Sequence, residues 1–134
     1  MRKDIESREI FDFGLALIPE QNGEMGRLWD VYLVNLKETP INHVLVNVLG
    51  RGEGESQTKN TAQIRYYFPE LAGLSYQHVE VMMPEVAALT NRYWVSFSHD
   101  NYLFDKKYIV PLEATEGDPD LIIPLIGKLG VWFE

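Results

Sequence analysis

The sequence predicts an all-β domain, an antiparallel sandwich of about seven to eight strands. Three observations predict it. Apolar residues recur with a period of two in short runs. Valine, isoleucine and aromatic residues fill those runs, as a pleated and half-buried surface favours. Gly, Pro, Asn and Asp separate the runs, and each of them interrupts a strand or opens a turn.

Taken in order, Phe11, Phe13, Leu15 and Leu17 alternate in a first run that ends at Pro19. Residues 21–26 are polar and glycine-bearing and read as a loop. The second run sets Trp29, Val31 and Leu33 on one parity and Tyr32, Val34 and Leu36 on the other, so this strand is expected to be covered on both faces. A turn through Lys37, Glu38, Thr39 and Pro40 leads to a third run with Val44, Val46 and Val48 on one side. Residues 50–60, with three glycines among polar side chains, read as a long hairpin loop. Ala62, Ile64, Tyr66 and Phe68 form the fourth run, which Pro69 is expected to stop.

The fifth run carries Gln77, Val79, Val81 and Met83 and ends at Pro84. That proline suits the first position of one helical turn within residues 84–91. The sixth run sets Tyr93, Val95 and Phe97 against Trp94, Ser96 and Ser98. His99, Asp100 and Asn101 then read as a tight hairpin turn, because Asp and Asn tolerate the positive φ such turns need. The seventh run starts at Tyr102 and continues to Leu112, and residues 115–120 form an acidic loop.

With 134 residues, 46% of them hydrophobic, the chain has the size and content of one domain with a real core. It has no internal repeat, so residues 1–134 are read as a single sandwich. The absence of cysteine excludes disulfide frameworks, thiol chemistry and cysteine-based metal sites. Residues 1–9 alternate charges and lack the apolar run of a signal peptide, and no stretch reaches the ~20 apolar residues of a membrane span. A cytoplasmic protein without membrane contact is expected. The net charge of -8, with no basic run longer than a pair such as Lys106-Lys107, argues against a nucleic-acid partner.

Two stretches carry a resemblance. Val34-Asn35-Leu36 through Pro40-Ile41, followed by alternating Val44, Val46 and Val48, resembles the first hairpin of bacterial immunoglobulin-like modules. Leu71, Gly73 and Leu74 before an alternating strand are similar to the middle crossover of the same modules. The resemblance covers roughly residues 29–111 and implies an immunoglobulin-like sandwich, with no functional residue attached. The whole chain also faintly resembles a group of short bacterial proteins, some labelled phenylalanyl-tRNA synthetase alpha subunit. That label implies ATP-clamping arginines, and no such glycine–arginine motif is present.

Constellations for chemistry are sparse. His43, His78 and His99 fall in three different runs, so no histidine metal site is expected. Asp118-Pro119-Asp120 lacks the spacing of a calcium loop and reads as solvated. Ser98-His99-Asp100 are consecutive and point different ways on a strand and turn, which is a hairpin rather than a triad. Gly50-Arg51-Gly52-Glu53-Gly54 has no following helix and is not a phosphate loop. No enzyme activity and no cofactor are expected.

Two features point to binding. Tyr67, Trp94 and Tyr102 are expected to face outward, and an exposed aromatic face suits a protein partner, a small ligand or a carbohydrate. Segment 121–134 concentrates Leu125, Ile126, Leu129, Val131, Trp132 and Phe133 between Pro124, Gly127 and Gly130. So much apolar surface must be covered, either by the chain's own sandwich or by a second subunit, the latter giving a homodimer. The functional expectation is a non-catalytic interaction or structural module that engages a protein partner or itself. Ligand or carbohydrate binding through the aromatic face is the alternative.

Overall fold

A computed structural model gives the structure of the chain and describes residues 10–20, 26–51 and 63–134. The loop expected at 21–26 and the glycine-bearing loop at 50–60 lie almost entirely outside the described residues, as does the charged segment 1–9. Nine strands run through the described residues: β1 (Phe13–Pro19), β2 (Trp29–Asn35), β3 (Ile41–Arg51), β4 (Ile64–Leu71), β5 (Ser75–Met82), β6 (Thr90–His99), β7 (Tyr102–Val110), β8 (Leu121–Ile122) and β9 (Leu129–Phe133). A short helix, α1 (Pro84–Ala87), takes its N-terminal turn from Pro84. Two antiparallel sheets pack as a β-sandwich. The first has the order β5-β2-β1-β9-β8 and the second β4-β3-β6-β7.

The seven alternating runs become β1 to β7, and their inward parity becomes the core except in the fifth, where a bulge leaves Val81 and Met83 exposed and turns Glu80 and Met82 inward. Phe13, Leu15, Leu17, Val31 and Leu33 of the first sheet face Val44, Val46, Tyr93, Val95 and Phe97 of the second, all buried. Phe13 and Phe97 meet across the interface with ring centroids 4.9 Å apart. Phe11 does not join this row. Asp12 takes a positive φ of 54°, which ends the alternation before the strand begins, and Phe11 lies exposed.

Pro69 does not stop β4, which continues to Leu71. β4 is an edge strand of its sheet, so a proline can turn its missing N–H away from the ladder. The strand number exceeds the expected seven to eight because segment 121–134 supplies two more. β8 and β9 pair as a hairpin, and β9 pairs with β1 through Leu15, Ala16 and Leu17. Val131 and Phe133 then pack on the main core, while Ile126 and Trp132 pack on a second cluster formed by Ala16, Ile18, Val34 and Ile123. That second cluster covers the outer face of β1 and β2. Trp132 lies so close over Gly14 that a β-carbon there would sit 2.3 Å from the indole.

One buried amide joins two distant connections. Asn35 is fully buried at the end of β2. Its Nδ2 donates to the carbonyls of Thr39 at 3.1 Å and Ala72 at 3.0 Å, with Leu71 a longer third at 3.4 Å. Its Oδ1 accepts from the Lys37 backbone N–H at 3.0 Å. The β2–β3 turn is thereby tied to the β4–β5 turn. The Leu74 N–H adds a bond to the Lys37 carbonyl at 2.8 Å, and Gly73 approaches the Glu38 carbonyl too closely for any side chain.

Replacing Asn35 by Ala strips these backbone groups of their buried partner, and the expected loss is about 2–4 kcal/mol. Urea unfolding measures it. A loss below about 0.5 kcal/mol, the range of neutral surface changes, would show that the amide is dispensable.

Candidate functional site

The two outer faces of the sandwich differ. The first sheet is capped by its own C-terminal hairpin, as described. The second sheet has no such cover among the described residues, and its outward side chains form four cross-strand rows, one of them Glu70, Asn42, Ser98 and Leu103. Tyr67, Leu45, Ser96 and Asp105 make the second row across β4, β3, β6 and β7. Arg65, Asn47, Trp94 and Lys107 make the next. Leu49, Arg92 and Ile109 make the fourth. Tyr67 is 55% exposed and Trp94 39%, and Leu45, Leu103 and Ile109 are exposed as well. Solvated apolar and aromatic groups on one flat face are what a binding surface requires.

The charge on this face is opposite to that of the chain. Arg65, Arg92 and Lys107 stand in these rows with two acids, Asp105 and Glu70. The Lys107 ammonium lies 4.6 Å from the centre of the Trp94 ring, a cation–π contact that holds both side chains on the surface. Tyr67 is fixed by a 2.9 Å hydrogen bond between its hydroxyl and His43 Nδ1. His43 reaches it from a bulge in β3, where the register against β6 shifts between Asn42 and Leu45 and His43 takes a φ of 53°.

The expected aromatic trio is therefore brought together in part. Tyr67 and Trp94 share the face, but Tyr102 does not. It lies on the same parity as Phe104, Tyr108 and Val110, which point toward the other sheet. Its exposure comes from its place beside the β6–β7 turn, beyond the end of the core. Leu45 and Ile109 were missed because an exposed leucine or isoleucine in a strand has no chemical signature in sequence.

The remaining polar groups form separate clusters. His43, Ser98, His99 and Asp100 line a cleft of about 530 Å³ beside the β6–β7 turn, where Asp100 and Asn101 both take positive φ. His99 Nε2 is bonded to Thr39 Oγ1 at 2.7 Å, and Ser98 Oγ donates to the Asn42 carbonyl at 3.3 Å. Serine and histidine thus have different partners, and no nucleophile–base pair forms between them. His78 Nε2 meets Asp30 Oδ1 at 2.8 Å, and the hydrogen bond and charge of Asp30 raise the nearby Glu20 carboxyl above its ordinary value. A second cleft, of about 880 Å³, is lined by Arg27, Asp118, Glu20 and Lys128 among apolar residues. Its guanidinium is already held by the Gly117 carbonyl at 2.6 Å and Asp118 at 2.8 Å. Among the described residues no three His, Asp or Glu side chains are grouped to hold a metal ion, and no helix is long and apolar enough to cross a membrane.

Beneath the exposed face lies a carboxylate bridge between the sheets. A bulge in β5 turns Glu80 inward opposite Val31. Its two oxygens accept from Tyr66 at 2.7 Å and Tyr93 at 2.6 Å, the short distances of charge-assisted bonds. Comparison with protein-family models, with curated proteins and with solved structures finds no match to this chain.

The bridge sets a pH dependence. Burial, followed by the bond to and charge of Glu80, raises the Tyr66 hydroxyl above its ordinary value, and burial together with Glu80 does the same for Tyr93. Burial also raises Tyr108, with the charge of Glu134 adding to it. The folded chain holds these protons where the unfolded chain loses them, at about pH 10. Their stabilisation is complete below that value and is lost as pH rises through the folded pKa values. Urea midpoints measured from pH 9 upward should fall, and Tyr93→Phe should flatten the slope. Equal midpoints at about pH 9 and 11.5 would contradict the linkage.

Proposed function

We propose that this protein is a recognition module of the immunoglobulin-like class that binds a partner protein through the outer face of the second sheet. The observation that carries the reading is the asymmetry of the two faces. One is capped by the chain's own hairpin, and the other leaves Leu45, Tyr67, Trp94 and Ile109 in water beside Arg65, Arg92 and Lys107. The partner is an acidic protein surface with an apolar centre. Three cations against two acids, Asp105 and Glu70, leave a positive excess that attracts carboxylates, and rigid aromatics supply contact area at low entropic cost.

The immunoglobulin-like assignment is supported by strand order. β5-β2-β1 opposite β4-β3-β6-β7 has the neighbours that the E-B-A and C′-C-F-G strands have in such domains. The two stretches that resemble bacterial immunoglobulin-like modules are those that Asn35 joins. A protein is favoured over a carbohydrate or a nucleic acid because Lys107 already occupies one face of the Trp94 ring, where a sugar or base would stack.

The test uses the chain and its Tyr67→Ala/Trp94→Ala variant side by side. Both side chains are exposed, so thermal unfolding should shift by no more than a few degrees. A protein that binds the native chain should lose at least about tenfold in affinity to the variant, and should bind less tightly as salt rises. Equal affinity for both, a hydrogen-exchange footprint on the first sheet, or recovery of a nucleic acid or glycan instead would overturn the reading.

A further inference from the structure

The second sheet ends in a strand that is complementary to itself. Among the described residues β7 pairs with β6 on one side and with no strand on the other. Its pairing with β6 runs through nine residues without a register shift, and it contains no proline. The other edges differ: β4 contains Pro69, β5 is bulged beside Tyr32, and β8 has two residues. A straight, regular edge is the one a further strand can extend.

Two copies of β7 placed antiparallel about a two-fold axis at Lys106 bring matched residues together. In that register Leu103 stands opposite Ile109 of the second copy, and Asp105 stands opposite Lys107. Symmetry repeats both pairs on the other side of the axis, as an isologous interface requires. All four side chains lie on the outer face, where Leu103 and Ile109 are more than half exposed in the single chain. Cross-strand pairs of opposite charge and of apolar residues are the ones that stabilise a sheet. Lys106 meets its own copy on the axis, on the opposite face, and there its ammonium is engaged by the backbone oxygen of Glu134 and lies 5.2 Å from the Tyr108 ring centre.

We infer that the chain forms a two-fold homodimer through antiparallel β7–β7 pairing centred on Lys106, which joins the two four-stranded sheets into one of eight strands. This inference rests on the residues of the edge and stands whether or not the outer face binds a partner protein.

Sedimentation of the whole chain tests it, with charge variants that leave the fold intact because Asp105 and Lys107 are exposed. Asp105→Lys sets like charges opposite each other and should weaken dimerisation at least about tenfold. Adding Lys107→Asp to the same chain restores the opposite pairs and should restore the dimer. Because the sequence has no cysteine, Leu103→Cys mixed with Ile109→Cys should cross-link across the axis under mild oxidation, and neither variant should do so alone. A chain that stays monomeric at about 100 μM overturns the inference, since that concentration would populate any dimer of micromolar affinity. A dimer indifferent to both charge variants, or cross-links as frequent in the single variants as in the mixture, overturns it as well.

Discussion

A single buried amide sets the geometry at one end of this sandwich. Asn35 is the right size and chemistry for the task. Its Nδ2 offers two hydrogens and its Oδ1 accepts one, and the two connections it touches present carbonyls and an N–H at matching positions. The β2–β3 turn crosses from the first sheet to the second, and the β4–β5 turn crosses back. Tying them together constrains how the two sheets face each other at this end. Gly73 permits the approach because its missing β-carbon leaves room for the Glu38 carbonyl. Further along, Glu80 links the sheets in the same way, with a carboxylate of one sheet between two tyrosine hydroxyls of the other. The apolar core between these polar ties supplies most of the burial, and the ties select one alignment of it.

That alignment leaves the two outer faces with different fates. The first sheet receives Ile123, Ile126 and Trp132 from the terminal hairpin, and this explains why β2 reads as apolar on both parities. The second sheet alternates more plainly, yet its outward positions are not simply polar. Leu45, Trp94 and Ile109 sit there without cover among the described residues, beside Arg65, Arg92 and Lys107. Solvating that much apolar surface costs free energy that a folded protein has no structural need to spend.

The period-two pattern made the first seven strands legible, and their inward residues too except in β5, where the bulge exposes Val81 and Met83 and buries Met82. Asp100 and Asn101 were legible for a local reason, because their positive φ needs no tertiary partner to explain it. Features that depend on residues distant in sequence were not. Whether Pro69 ends a strand depends on whether that strand is an edge, which pairing alone decides. The bulges at His43 and beside Glu80 move side chains to the other face, and the alternation hides them. Tyr102 shows the limit for the site: parity placed it correctly beside Phe104, but which parity faces outward follows from the neighbouring sheet. In segment 121–134 the demand for burial was plain from composition, while the strand that would meet it was not.

The pairing of β9 with β1 has a consequence for how the chain is made. β1 lies in the middle of its sheet, but one of its neighbours comes from the far end of the sequence. During synthesis β1 and β2 can pair early, and the second sheet can close behind them. The other side of β1 stays an open template until residues 129–133 have left the ribosome. Over that interval the nascent chain carries an uncovered strand bearing Ala16 and Ile18 on the side that the hairpin will later hide. Such an edge invites pairing with another nascent chain. The interval between the synthesis of β1 and that of β9 is therefore the one in which this edge needs protection.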